Sequence, residues 1–197
     1  MTDPGWKIDN GYLADAERCY SPNYDDRPPN VQPALIVIHC ISLPPGNFGG
    51  SDIHQLFTNQ LDANAHPYYQ QLRGLKVSTH FLIDRFGCTT QFVSCLNRAW
   101  HAGESRWRGE SNCNNYSIGI ELEGVETDAF EVAQYVSLRK LCKSLIASYP
   151  IAACVGYSHI ALPLGRKQDP GVGFDWGGSR VSYNRIVVLF FLNFYFK

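Results

Sequence analysis

The sequence predicts an α/β fold, with a mixed central β-sheet flanked by helices in a single domain. Three stretches carry that reading. "ALIVIH" (34–39) is a short, unbroken apolar run rich in branched side chains, the signature of a buried strand. Ser117–Glu123 alternates strictly, with Ile118, Ile120 and Leu122 on one side and Ser117, Gly119, Glu121 and Glu123 on the other. Residues 134–149 repeat at helical spacing, with a stripe of Leu138, Leu141, Cys142, Leu145 and Tyr149, and Pro150 stops the helix. Strands interspersed with helices argue for a sheet with helices packed on it.

Taken in order, residues 1–33 are rich in Pro, Asp and Asn. They read as an irregular arm with a short helix over 11–17. After the strand at 34–39, "SLPPGNFGG" reads as a loop. Residues 52–61 place Ile53, Leu56, Phe57 and Leu61 at helical spacing, with Ser51 or Asp52 as the cap. Strands over 77–84 and 88–93 flank "RFG", a hairpin turn. Asp128 and Glu131 resemble a capping box before the long helix. The tail "IVVLFFLNFYF" (186–196) is intensely apolar but about half a membrane span in length. Two readings stand for it, a core element and a peripheral membrane contact, and stable insertion is not expected.

Composition narrows the function. The 197 residues suffice for one domain with a real core, expected to span 1–197. Hydrophobic residues at 45% and charged residues at 18% are those of an ordinary globular protein. A net charge of −1 gives no basic footprint for nucleic acid. No early segment combines a basic start, a short apolar run and a small-residue cleavage site, so the expected address is the cytoplasm. The seven cysteines contain no CxxC pair, which argues against a cysteine zinc cluster. In a reducing compartment most are expected to be small buried apolar residues.

Six histidines remain to be weighed: His39, His54, His66, His80, His101 and His159. His39 ends a buried apolar strand, where an imidazole needs a partner. His159 precedes the Pro/Gly-framed loop "GRKQDPG" (165–171), which holds Lys167 and Asp169. Two histidines, one carboxylate and a fourth position for water form a standard catalytic zinc set, and nitrogen and oxygen donors suit zinc. No HExxH motif fixes two ligands on one helix, so unrelated roles for His39, His159 and Asp169 stay open on residue types alone. Glu121 is either a solvated acid or, facing a pocket, a general base. Lys167 is either a surface charge or an oxyanion partner. His80 reads as a core histidine, His54 and His66 as helix-surface and loop residues.

The segments "SPNYDDRP", "LIVIHCISLPPGNFGG", "DANAHPYY", "VSTHFLIDRFG", "RAWHAG", "CNNYSIGIELEG" and "GRKQDPG", spread over 11–176, resemble the zinc N-acetylmuramoyl-L-alanine amidases. That family also includes phage lysozyme-type amidases and peptidoglycan recognition proteins. The "SLPPGNFGG" and "NAHPYY" segments point to the cytoplasmic branch that acts on 1,6-anhydromuropeptides in cell-wall recycling. The resemblance implies zinc ligands His39, His159 and Asp169, Glu121 as catalytic acid/base, and Lys167 as transition-state stabiliser. It implies substrate contacts by Trp100, which would line the sugar or peptide groove, and at the position of Lys76. The family tends to have arginine at that position, so a bidentate carboxylate contact is weakened there. Cys40 stands where an asparagine is expected after the first ligand. His101 adjoins Trp100 and is expected to shape the groove without ligating. The implied partner is an anhydromuropeptide substrate of a monomeric enzyme. The alternative is a peptidoglycan-fragment binding module of the same fold without catalysis, and the presence of all five polar residues favours the enzyme.

Overall fold

The computed structural model describes residues 6–177. The expectations for the apolar tail (186–196) lie outside the described residues. Along the chain run β1 (Ile8–Asp9), β2 (Tyr12–Leu13), β3 (Glu17–Arg18), β4 (Tyr24–Asp26) and β5 (Leu35–Ile41). Helix α1 (Asp52–Phe57) and a 3-10 turn (Pro67–Leu72) follow. Then come β6 (Phe81–Ile83), β7 (Thr89–Gln91), β8 (Asn97–Ala99), β9 (Arg106–Trp107), β10 (Glu110–Ser111) and β11 (Ser117–Glu123). Helix α2 (Val132–Ser148) and β12 (Ala153–Gly156) close the described fold.

The main sheet has six strands in the order β12-β5-β11-β6-β7-β3. Strands β12, β5, β11 and β6 are mutually parallel, and β7 returns antiparallel to β6. This is the mixed sheet with flanking helices that the sequence predicts. Ile36, Ile38, Ile118, Ile120 and Leu122 pack on one face against Leu138, Leu141 and Leu145 of α2. On the other face, Leu35 and Val37 meet Val155, Tyr157 and Ile160. All seven residues of β11 are therefore buried, the polar side included. A central parallel strand is covered on both faces, so its polar alternates line the interior and not solvent.

Three local expectations are corrected. Residues 11–17 are not helical: β1 and β2 form a hairpin joined by Asn10 (φ 48°) and Gly11 (φ 80°). Two positive φ values are what a tight two-residue hairpin turn requires, and Asn-Gly supplies them. The arm is ordered, with β3 on the sheet edge and β4 paired to β8. It also delivers a buried guanidinium, Arg27, which donates to the carbonyls of Cys95, Asn114, Asn115 and Ser117. Helix α1 ends early because Asn59 takes a left-handed conformation at φ 60°; Ser51 stands at the N-cap as expected, without a side-chain capping bond. The start of α2 uses Glu131 and Gln134 in place of Asp128 and Glu131. Gln134 Oε1 accepts from the Glu131 N–H at 2.9 Å, and its amide donates to the Ile83 and Glu123 carbonyls. Of the cysteines, Cys95, Cys113 and Cys142 are buried, Cys19, Cys40 and Cys154 half-buried, and Cys88 exposed.

Candidate metal centre

The parallel pairing of β11 with β5 sets Glu121 opposite His39. Both belong to the sheet face turned away from α2, near the C-terminal ends of their strands. Parallel sheets commonly place their ligand sites there, where the strands hand over to loops. The neighbouring strand β12 ends at Gly156 and runs into Tyr157, Ser158 and His159. The loop that follows folds back, and the Ser158 N–H donates to the Asp169 carbonyl at 2.9 Å. Gly171 permits that return: its φ is 85°, and a Cβ there would lie 2.0 Å from the Glu126 carbonyl oxygen.

The result brings His39 and Asp169 together. His39 Nδ1 stands 3.1 Å from Asp169 Oδ2, with both residues buried. Burial alone pulls the His39 pKa down, but the Glu121 and Asp169 carboxylates outweigh it and the net direction is up, against Lys167. Burial pushes Glu121 up to about 7, with Asp169 adding to the rise and His39 and Lys167 opposing it. Glu121 Oε2 is buried with no hydrogen-bond partner among the described residues. A buried carboxylate oxygen left unpaired costs free energy, and such a group beside histidine and aspartate is a candidate for chemistry.

His159 stands apart from this pair. Its Nδ1 accepts from the Gly156 N–H at 3.0 Å, and its ring lies 5.9 Å from that of Trp176. Burial moves its pKa down, keeping it neutral and able to donate a lone pair. Among the described residues no three of His, Cys, Asp and Glu form a group that could hold an ion together. The donors fit a divalent cation in kind: imidazole nitrogen and carboxylate oxygen beside an unpaired carboxylate, on backbone segments tied together.

Lys167 is exposed, with Nζ 5.7 Å from the centre of the Tyr157 ring. That ring also lies 4.7 Å from the His39 ring, so the lysine and the histidine both neighbour Tyr157. Its hydroxyl accepts from the Gly103 N–H at 2.9 Å and lies 3.1 Å from Arg166 Nη2. Trp100 is half-buried, and its indole Nε1 has no partner among the described residues. Lys76 is exposed on a different cleft of about 320 Å³, lined also by Leu56, Asn59, Asp62, Tyr69 and Arg73. Neither His39 nor Asp169 borders it. Sequence reasoning missed Tyr157 and Ser117. Tyr157 had a signal in its place two residues before His159.

A family model of N-acetylmuramoyl-L-alanine amidase matches residues 29–172. The chain belongs to that family. It is 47% identical over 178 residues to the 1,6-anhydro-N-acetylmuramyl-L-alanine amidase AmpD of Escherichia coli K12, covering 90% of this chain and 97% of the relative. A crystal structure of a Se-Met AmpD derivative superposes with a TM-score of 0.83 at 50% identity, covering 86% of this chain and 94% of that one. The E. coli amidase AmiD, solved with anhydro-N-acetylmuramic acid-L-Ala-D-gamma-Glu-L-Lys, superposes at 0.51 with 30% identity, covering 87% and 63%. The arm before residue 29 lies outside the family match, yet its Arg27 is bonded into the fold beside the centre.

Proposed function

We propose that this chain is a zinc-dependent amidase. It would hydrolyse the amide between the lactyl group of 1,6-anhydro-N-acetylmuramic acid and the L-alanine of a muropeptide, in cell-wall recycling in the cytoplasm. The observation that carries the reading is Glu121, its buried Oε2 without a partner among the described residues, set opposite His39, which in turn meets Asp169. The names borne by the AmpD relatives and the AmiD complex support this substrate class.

His39, His159 and Asp169 are the residues that would hold the metal. When bound, zinc lowers the pKa of water to about 7 and polarises a carbonyl, which makes an unreactive amide open to attack. Glu121 takes a proton from the attacking water. A pKa near 7 suits that task, because the group is poised both to accept the proton and to return it to the departing alanine amine. Lys167 supplies positive charge where the carbonyl oxygen becomes negative. A well-placed donor of that kind is typically worth about 3 to 4 kcal/mol. Trp100 would line the sugar or peptide groove; its indole N–H is buried without a partner among the described residues. Asp169 and Lys167 share one loop, so the turn that presents the carboxylate also presents the ammonium.

The test is hydrolysis of an anhydromuropeptide and of intact peptidoglycan by the full chain, with and without a chelator, the products being identified by mass. Release of the free peptide from the anhydromuropeptide, abolished by the chelator and restored by zinc, is expected. No hydrolysis by the zinc-supplemented protein contradicts the reading.

A further inference from the structure

A second histidine stands behind the first. His39 Nε2, the ring nitrogen turned away from Asp169, lies 3.0 Å from His101 Nδ1. The other nitrogen of His101, Nε2, lies 3.0 Å from the Ser117 hydroxyl. Asp169, His39, His101 and Ser117 thus form one line of side-chain hydrogen bonds through the centre.

His101 is held in that line from every side. Trp100, before it, is fixed by Ser78: the Trp100 N–H donates to Ser78 Oγ, and the Ser78 N–H donates to the Trp100 carbonyl. Ala102, after it, is bracketed by the Asn114 side chain, which accepts from its N–H at 2.8 Å and donates to its carbonyl at 2.7 Å. The ring itself fits because position 119 is glycine. A Cβ at Gly119 would lie 2.5 Å from His101 Cγ, so any side chain there would displace the imidazole. A half-buried ring with both nitrogens engaged, a glycine opposite it and a clamped backbone is a built position.

We propose that His101 is a positioning residue for His39: with Ser117 behind it, it fixes the ring orientation of His39, so that Nδ1 is turned to Asp169 and to the place a metal would take. The inference rests on the amidase reading for the identity of that metal. The logic is one of lone pairs. His39 Nδ1 faces the Asp169 carboxylate, which can only accept, so Nδ1 carries the proton of that contact and a cation would take that proton's place. A neutral imidazole must then carry its proton on Nε2 and needs an acceptor there. His101 Nδ1 is that acceptor, provided His101 keeps its own proton on Nε2. Ser117 Oγ, 3.0 Å from Nε2, is able to accept from it. Outer partners of this kind typically contribute about 10- to 100-fold to metal affinity.

The experiment compares the full-length protein with His101→Phe, His101→Asn and Ser117→Ala. The zinc dissociation constant comes from chelator competition. The protonated nitrogen of His39 comes from nitrogen-resolved imidazole spectra of the metal-free and zinc-loaded protein. His101→Phe keeps a flat ring over Gly119 and removes both nitrogens; zinc affinity is expected to fall about 10- to 100-fold. The His39 spectrum is expected to change even without metal. His101→Asn retains an amide near His39 Nε2 and should recover most of the affinity. Ser117→Ala, the milder change, should weaken zinc by a smaller factor and blur the single tautomer. His101→Phe binding zinc like the parent, with an unaltered His39 spectrum, overturns the proposal. A parent protein that binds no zinc contradicts the amidase reading instead, and the metal-free spectra then decide the role of His101 on their own.

Discussion

Glu121 and His39 are exact neighbours across β11 and β5, paired in register, and the Oε2 atom of that glutamate has no hydrogen-bond partner among the described residues. The pairing puts an acid held near neutrality beside the histidine that meets Asp169.

Glu121→Gln removes the proton acceptor and keeps the shape. Turnover of an anhydromuropeptide is expected to fall by about 100-fold or more, the usual range for a lost general acid/base. Zinc content should stay at the parent level, because Glu121 is not among the proposed ligands. Metal analysis and a hydrolysis assay on one preparation check both halves; near-parent turnover eliminates Glu121 as the base.

Lys167→Ala tests charge stabilisation. The side chain is exposed, so folding should be unaffected. A fall in kcat of about 100- to 1,000-fold with little change in KM is expected for a group that acts in the transition state. A change confined to KM would assign Lys167 to substrate binding.

His80 predicts an acid-side loss of stability. It is fully buried, its Nδ1 accepts from the Gly119 N–H, and its Nε2 faces the Asn97 carbonyl, so the proton sits on Nε2. Burial first, and then the Arg27 guanidinium, hold its pKa well below 6.5. The unfolded chain takes up a proton below about 6.5 while the folded chain does not, so this contribution is complete above that pH and declines as pH falls. The slope from one such histidine is about 1.4 kcal/mol per pH unit. Urea unfolding of the parent and of His80→Asn between pH 7.5 and 5 measures it; identical slopes contradict the assignment.

How far could these features be read from the sequence? The strands at Leu35–Ile41 and Ser117–Glu123 and the stripe of α2 follow from periodicity, and they place His39 and Glu121 on known elements. Periodicity could not say that β11 is central, so the polar side of that strand stayed ambiguous between solvent and interior. The hairpin at Asn10-Gly11 is legible in its turn residues, but its flanking strands, two residues each, are too short to show a strand period. The link of His101 to His39 has no local signal: its partners His39 and Ser117 are 62 and 16 positions away. Only the sheet brings them together.

Arg27 carries a prediction for the arm. Its guanidinium is buried, donates to four backbone carbonyls and has its pKa pulled down to about 10, mainly by burial. Arg27→Met leaves those carbonyls without donors and should destabilise the fold by about 3 kcal/mol. Because the arm precedes the family match, chemical denaturation of this variant also tells whether 6–28 is part of the cooperative unit. A midpoint equal to the parent's would show that it is not.

The most direct measurement is the zinc stoichiometry of the parent and of His39→Ala, His159→Ala and Asp169→Ala. One tightly held zinc per parent chain is expected, and its loss in each of the three variants. His159→Ala is the sharpest of them, since that ring is turned to Gly156 in the structure. Retention of full zinc occupancy after its removal would contradict the proposed centre.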